Sequence, residues 1–424
     1  MTSKDLSKTL RYRHFIFGIL GIGYVIVYFH RLCPAVLAKD IMRDLNASGP
    51  LIGVLGSAYF YPYALMQLPA GLLSDSWGAR KSVSSFLLIA FIGSMILAAA
   101  PDALWAIIGR VLVGLGVSVL FVPFMKVMSE WYTTREFAFM SGIIIAIGGV
   151  GSLASATPLA WMSSLIGWRM SFASVGIATL IIGALIWRIV RDRPADLGWP
   201  SPEVHIQKEG PAIGLWEGVK RVFSHPPFWV VAVWIFFNVS VFFALGGLWG
   251  GPYLMEVYHL SKAGAGHVLS MLSIGLIIGS PILSFLSNRV LKGRKPVLVL
   301  CSLILMPLMY IMYVFVDKIP MAMLYVIFLA IGIFSGSVVA VGFTMAKELF
   351  PVSIAGTSIG LINIFPFLGG ALFQPFLGYV LERNGRVNDA FTLRGYQQVM
   401  LIFFLSSLIA LIAGFFTRET VKRQ

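Results

Sequence analysis

The sequence predicts an all-α polytopic membrane protein: about twelve transmembrane helices in two six-helix pseudo-repeats. Three observations predict it. Of 424 residues, 58% are hydrophobic and only 12% charged, with a mean hydropathy of +0.87; a water-soluble domain carries more charge on its surface. Apolar runs of about twenty residues recur along the chain, each long enough as a helix to cross a hydrocarbon core of about 30 Å. A charged turn after the second run reappears after the eighth, about half a chain later.

In order, the apolar runs place helices near 14–37, 50–72, 80–100, 103–126, 137–162 and 168–190. Six more follow near 226–251, 263–287, 296–316, 319–346, 354–381 and 395–417. The first run lacks a short apolar core with a small-residue cleavage site, so it reads as a retained span. Alternating the connections puts 22 Lys and Arg on one side and nine on the other, with Arg110 inside a helix. Basic residues concentrate on the cytoplasmic side, so both termini are expected there, in a bacterial inner membrane. This distribution accounts for the net charge of +14 without a nucleic-acid partner. Cys33 and Cys301 lie far apart in apolar helices and suggest neither a disulfide framework nor a metal site.

The expected division is 1–190, a linker at 191–225, and 226–424. The linker contains GLWEGVKRVF (214–223). Leu215, Trp216, Val219, Val222 and Phe223 share one helical face; Glu217, Lys220 and Arg221 share the other. Two readings stand: a helix on the membrane surface, or a linker helix packed on the domain ends.

The repeated turn is GLLSDSWGARKSV (71–83) and SFLSNRVLKGRKPV (284–297). Asp75 and Asn288 are 213 residues apart, and Arg80 and Arg294 are 214 apart, against a half-length of 212. Gly71, Asp75, Gly78, Arg80 and Lys81 match the loop signature of the major facilitator superfamily, which the chain resembles along its whole length. Ser76 replaces a basic residue of that signature, and Ser284 and Asn288 are the weaker second copy. Arg110, Gly114 and Gly116 in GRVLVGLG (109–116), GWR (167–169) and RDRPADLGW (191–199) resemble the same family. In the turn, Gly71 and Gly78 permit close packing and a sharp reversal. Asp75 suits the positive end of a facing helix, and Arg80 and Lys81 can pair with it. The resemblance implies that this turn, with Asn288 and Arg294 in its second copy, gates a conformational switch. The stretch IIIAIGGVGSLASATPLA (143–160) is similar to a Gly-rich exporter pattern, but Pro158 falls late, and ordinary helix packing by small residues is the preferred reading.

His30 and Arg31 interrupt the first apolar run. They fall about 6–9 Å from its centre, and Arg110 falls about 6–7 Å from the centre of the fourth, on the same side. A cation at this depth faces a wet cavity or a partner, because facing lipid is costly. The alternatives are that His30 and Arg31 snorkel to the interface or bond backbone carbonyls, and, as the resemblance implies, that Arg110 packs and hydrogen-bonds the first and fourth helices. All 18 Asp and Glu fall in loops or at helix ends, so the missing negative charge is assigned to a solute: Arg clamps a carboxylate or phosphate at two points. YFHR (28–31) looks like the Tyr-x-Asp-Arg of organic-anion symporters in the superfamily. That resemblance implies an anion-contacting Arg31, with His30 where a proton-coupling Asp stands; a histidine also exchanges protons near neutral pH. Tyr28, Tyr59, Asn238 and Asn363 are further candidate substrate contacts, alongside Tyr61, Tyr63 and Gln67. Trp249 and Tyr253 are cavity residues or interface anchors, and Lys126 is a solvated lip.

The expected activity is secondary transport of a small polar, anionic solute by alternating access, with a proton as candidate coupling ion and a monomer as the unit. Export of drugs or a carboxylate siderophore, import of amino acids or nucleosides, and sensing without flux are the alternatives. No phosphate-binding Gly-x-x-x-x-Gly-Lys-Ser/Thr loop occurs, so ATP is not the expected energy source, and no cofactor is expected. The six histidines and two cysteines lack ligand or nucleophile spacing, which argues against an enzyme.

Overall fold

The structure, a computed structural model, describes residues 3–202 and 215–421. Lys208, Gly214, Lys422 and Arg423, used in the reading above, lie outside them, and so does the side chain of Leu215. Among the described residues, ten helical stretches are long and apolar enough to cross a membrane, and a bent pair, Gly49–Leu65 with Gln67–Ser76, makes eleven. One stretch, Met140–Ile189, has 50 residues. At 1.5 Å per residue it is more than twice too long for one crossing. It divides at Gly167, where φ is +76° and ψ 164°, a conformation that only glycine adopts readily. Twelve spans result.

Several spans are longer and more broken than hydropathy suggests. The first runs Ser3–Leu32 and resumes as Pro34–Asp44, past the expected end at 37. Polar helix ends reach beyond the hydrocarbon and carry no apolar signal. The second consists of Gly49–Ser57, Phe60–Leu65 and Gln67–Ser76, bent by 49°. Pro62 and Pro69 each lack the N–H that would bond four residues back, which removes the helical bond to the Ala58 and Leu65 carbonyls near the two breaks. π-helical turns interrupt the seventh span at Leu245–Trp249, the eighth at Leu286–Val290 and the tenth at Gly332–Ser337. Between the last two spans, β1 (Arg386–Val387) pairs antiparallel with β2 (Ala390–Phe391). Asn388 and Asp389 turn the hairpin with positive φ.

The start of the first span, the described residues after the last span, the Asp75 turn and the linker helix Leu215–Phe223 lie at one face of the bundle, called here the terminal face. Tyr12 donates to the Ile189 carbonyl at 2.6 Å, and Arg13 forms a two-point ion pair with Glu136 at 2.9 Å. Glu136 also completes a capping box with Thr133 at the start of the fifth span. The Arg13 guanidinium, and then the Thr133 donors, hold the Glu136 carboxyl below its ordinary value of 4.5. Its contribution to stability is therefore complete above that value and fades as pH falls through the lower, folded-state value. Thr133→Ala is expected to cost about 1 kcal/mol of stability. Glu136→Gln is expected to lower the melting temperature more at pH 7 than at pH 3; equal shifts at both would remove the ion pair from the account.

The linker helix Leu215–Phe223 packs Val219 and Val222 inward, with Gly218 against Ile354 and Thr357. Trp216 remains 80% exposed. The helix is thus seated on the end of the eleventh span while its tryptophan faces outward.

Candidate functional site

Arg31 lies on the wall of a central cavity of about 90 Å³. The first span turns Tyr24, Tyr28 and Arg31 to this wall at spacings of four and three residues, one helical face. The second span adds Tyr63, and the C-terminal half adds Phe243 and Phe367. The guanidinium carbon stands 4.2 Å from the Tyr28 ring centre, 4.8 Å from Tyr63, 4.9 Å from Phe367 and 5.8 Å from Phe243. The side chain is 2% exposed, its Nε has no hydrogen-bond partner, and no carboxylate pairs with it among the described residues. Ring faces each offset about 0.5–2 kcal/mol of the cost of burying a cation. The four rings together are of the same order as that cost of several kcal/mol, but none brings a full negative charge, which an anion supplies.

The structure brings some of the other candidates to Arg31 and turns others away. Tyr28 and Asn363 line the cavity with it. His30 does not: its ring turns to the sixth span, 3.4 Å from the Thr179 hydroxyl, with Nδ1 unpartnered. Consecutive residues on a helix point about 100° apart, so the two cannot share a wall. Arg110 does not line it either; it donates to the His30 carbonyl at 2.8 Å and faces the Cys33 thiol, tying the fourth span to the first. Tyr59 lies between them, donating to the Val27 carbonyl at 3.2 Å, with its ring 5.1 Å from the Arg110 guanidinium. Asn238 is buried inside the C-terminal half against Ser302 and Ser335. Trp249 and Tyr253 are fully buried and donate to the carbonyls of Gln374 and Val316, so neither is an interface anchor. Tyr61 is partly exposed and donates to the Ala371 carbonyl. Gln67 accepts from Asn363 at 2.6 Å, a bond between the two halves. Gly151 brings the fifth span onto the Val25 backbone, where a Cβ would meet the carbonyl at 2.2 Å, which is the packing reading of that Gly-rich stretch.

The signature turn differs in its pairing from the expectation. Asp75 pairs with Lys126 at 2.6 Å, and Lys126 also donates to the Ser74 carbonyl; it is not a free lip. Arg80 stacks on Trp187 instead, while Lys81 is exposed. Lys126 wins because the fourth span lies against the end of the second, while the turn carries Arg80 to the sixth. Gly78 has φ +85°, and a Cβ there would meet Asp192 at 2.1 Å, so it makes the reversal expected of it. Gly71 has nothing closer than 4.0 Å and supports no tight packing. The repeat is visible in the caps: the Arg80 N–H donates to Asp192 at 2.7 Å, and the Arg294 N–H donates to Glu419 at 3.0 Å. Each acid follows the last span of its half and caps the third. Arg294 further bonds Asn288 at 2.5 Å and Glu348 at 2.9 Å. Lys126→Gln is expected to slow solute flux about as much as Asp75→Asn, with the double variant no slower. Additive losses would mean that the two do not act as a pair.

A third group escaped the sequence reading. At the face opposite the termini, Lys39 pairs with Glu256 at 3.5 Å, Asp40 pairs with Lys262, and Glu382 accepts from the Gly49 N–H at 2.7 Å. Each contact joins the two halves. Backbones also meet there: a Cβ on Gly378 would lie 2.2 Å from the Gly49 carbonyl, and one on Gly251 1.7 Å from that of Ala35. At the terminal face, the ion pairs Asp75–Lys126, Arg13–Glu136 and Arg294–Glu348 each stay within one half. Partners more than 200 residues apart leave no local pattern, which is why these contacts were not legible.

Known proteins agree with this architecture. The chain is 24% identical to a Chlamydia pneumoniae protein named "Probable hexose phosphate transport protein", over 90% of this chain and 86% of that one. It is 24% identical to the Bacillus subtilis "Probable galactarate/D-glucarate transporter GudP", over 98% and 95%. It is 25% identical to the Escherichia coli "Membrane sensor protein UhpC", over 90% and 89%. Among solved structures, a D-xylose-proton symporter superposes with a TM-score of 0.75 at 15% identity, covering 97% of this chain and 98% of that one. A bacterial homolog of the lysosomal transporter Spinster gives 0.74 at 18%, covering 96% of each. The family model of the Major Facilitator Superfamily matches residues 20–261 and 245–424, and the chain, an integral membrane protein, belongs to that superfamily.

Proposed function

We propose that the protein is a secondary transporter that moves a small anionic solute by alternating access. One observation carries this reading: a permanently charged Arg31 on the cavity wall, held by aromatic faces and left without a carboxylate. A solute carboxylate or phosphate supplies the missing charge. Residues 1–190 and 226–424 rock as two units, joined by 191–225. The contacts of Lys39, Asp40 and Glu382 across the halves break when the cavity opens on their side, and the Asp75 and Arg294 turns guide the change at the other. The basic loops support a bacterial inner-membrane orientation with both termini cytoplasmic. His30 turns away from the cavity, and among the described residues no histidine or carboxylate lines it beside Arg31 to carry a coupling proton. Several relatives are named as transporters of anionic sugars, in keeping with this class.

The test is flux in proteoliposomes. Purified protein is expected to exchange a labelled organic anion against an unlabelled gradient of the same compound. Binding without exchange would favour a sensor, the activity for which one relative is named.

A further inference from the structure

We propose that the solute is a monoanion with a compact apolar body, of the aromatic monocarboxylate class, not a sugar phosphate or a sugar diacid. The inference rests on the anion reading of Arg31 and goes further by naming the body behind the charge.

The cavity has two unlike walls. On one, Arg31 stands among the phenols of Tyr24, Tyr28 and Tyr63, with Tyr28 and Tyr63 stacked on its guanidinium. This wall suits a single anionic head. On the other, Val239, Phe242, Leu276, Val339, Ala340 and Phe343 present hydrocarbon.

Charge decides first. Arg31 is the one cation among the lining residues. Arg110 is bound to the His30 carbonyl behind the wall, and Lys126 is paired with Asp75 at the terminal face. A sugar phosphate carries close to two charges at pH 7, and a sugar diacid carries two. The second charge would lie against phenylalanine without a partner, at a desolvation cost that one cation cannot offset.

Hydrogen-bonding capacity decides second. A polyhydroxylated body needs a partner for each buried hydroxyl. The C-terminal wall offers Ser280, Ser337 and Asn363. Ser280 donates to the Leu276 carbonyl at 3.1 Å, and Ser337 donates to the Ile333 carbonyl at 2.6 Å. Both protons are engaged within their own helices. Asn363 gives one amide proton to Gln67. The C-terminal wall thus leaves few donors for a sugar chain, and the phenols of Tyr24, Tyr28 and Tyr63 stand around Arg31, where the anionic head sits, whereas the ring faces and aliphatic carbons of the C-terminal wall suit an apolar ring.

The experiment is binding to the full-length protein in detergent, read by thermal shift and calorimetry. The probes are benzoate, benzamide, glucose 6-phosphate and D-glucarate. Benzoate is expected to bind at least tenfold more tightly than glucose 6-phosphate, D-glucarate or the neutral isostere benzamide. The benzamide arm needs no substitution, so it stands even if an Arg31 variant folds poorly. Tighter binding of glucose 6-phosphate or D-glucarate than of benzoate would overturn the apolar-body inference and leave the anion reading intact. Benzamide binding as tightly as benzoate, with neither sugar anion bound, would overturn both.

Discussion

Arg31→Gln is expected to weaken anion binding about a hundredfold and to abolish solute exchange. A buried charge pair that loses one partner costs about 2–5 kcal/mol, and 2.8 kcal/mol is a hundredfold. Arg31→Lys is expected to recover less than a tenth of the lost affinity. A lysine keeps the charge but not the planar fork, and its compact ammonium cannot lie flat between Tyr28 and Tyr63. The unliganded protein behaves differently. Arg31 is a buried cation without a carboxylate, so Gln in its place removes a desolvation cost. The melting temperature of Arg31→Gln without ligand is expected to equal or exceed that of the wild type. Thermal shift with and without an anion panel reads both quantities. Unchanged affinity in Arg31→Gln would remove the anion site, and a lower melting temperature with lost affinity would make Arg31 a structural residue.

Gly378→Leu is expected to cut exchange at least fivefold while anion binding persists. The added Cβ would lie 2.2 Å from the Gly49 carbonyl, and backbone cannot yield as a flexible side chain does. Overpacking of this kind costs about 1–3 kcal/mol, which is five- to a hundredfold in the population of the closed form. Because Gly378 and Gly49 belong to opposite halves, the halves must separate there. A cysteine placed at Ala35, on the other seam of the same face, reports whether they do so as units. Ala35 is 2% exposed, and native Cys33 and Cys301 are both buried. Maleimide labelling of Ala35→Cys is expected to be slow alone and at least fivefold faster with Gly378→Leu. Unchanged labelling and full exchange would mean that this seam does not move.

The sequence by itself determined the class, the number of spans, the duplication and the isolated cation. Each of these is written in local pattern: apolar runs of membrane length, a charged turn repeated at half the chain, and a lone arginine in an apolar helix with acids confined to loops and helix ends. Tertiary structure decided which of the polar groups share a wall. His30 and Arg31 are neighbours in the chain, yet the helix turns them to different faces, one to Thr179 and one to the cavity. Arg110 has the same depth as Arg31 but serves the His30 carbonyl. Asp75 chose Lys126, 51 residues away, over Arg80 beside it in the turn. The aromatic cage of Arg31 and the seal of Asp40, Lys262, Glu256 and Glu382 draw on both halves, and no periodicity within a helix encodes which residue of another helix will face it. Depth along a span follows from counting residues, but direction around it depends on packing against neighbours that only the folded chain supplies.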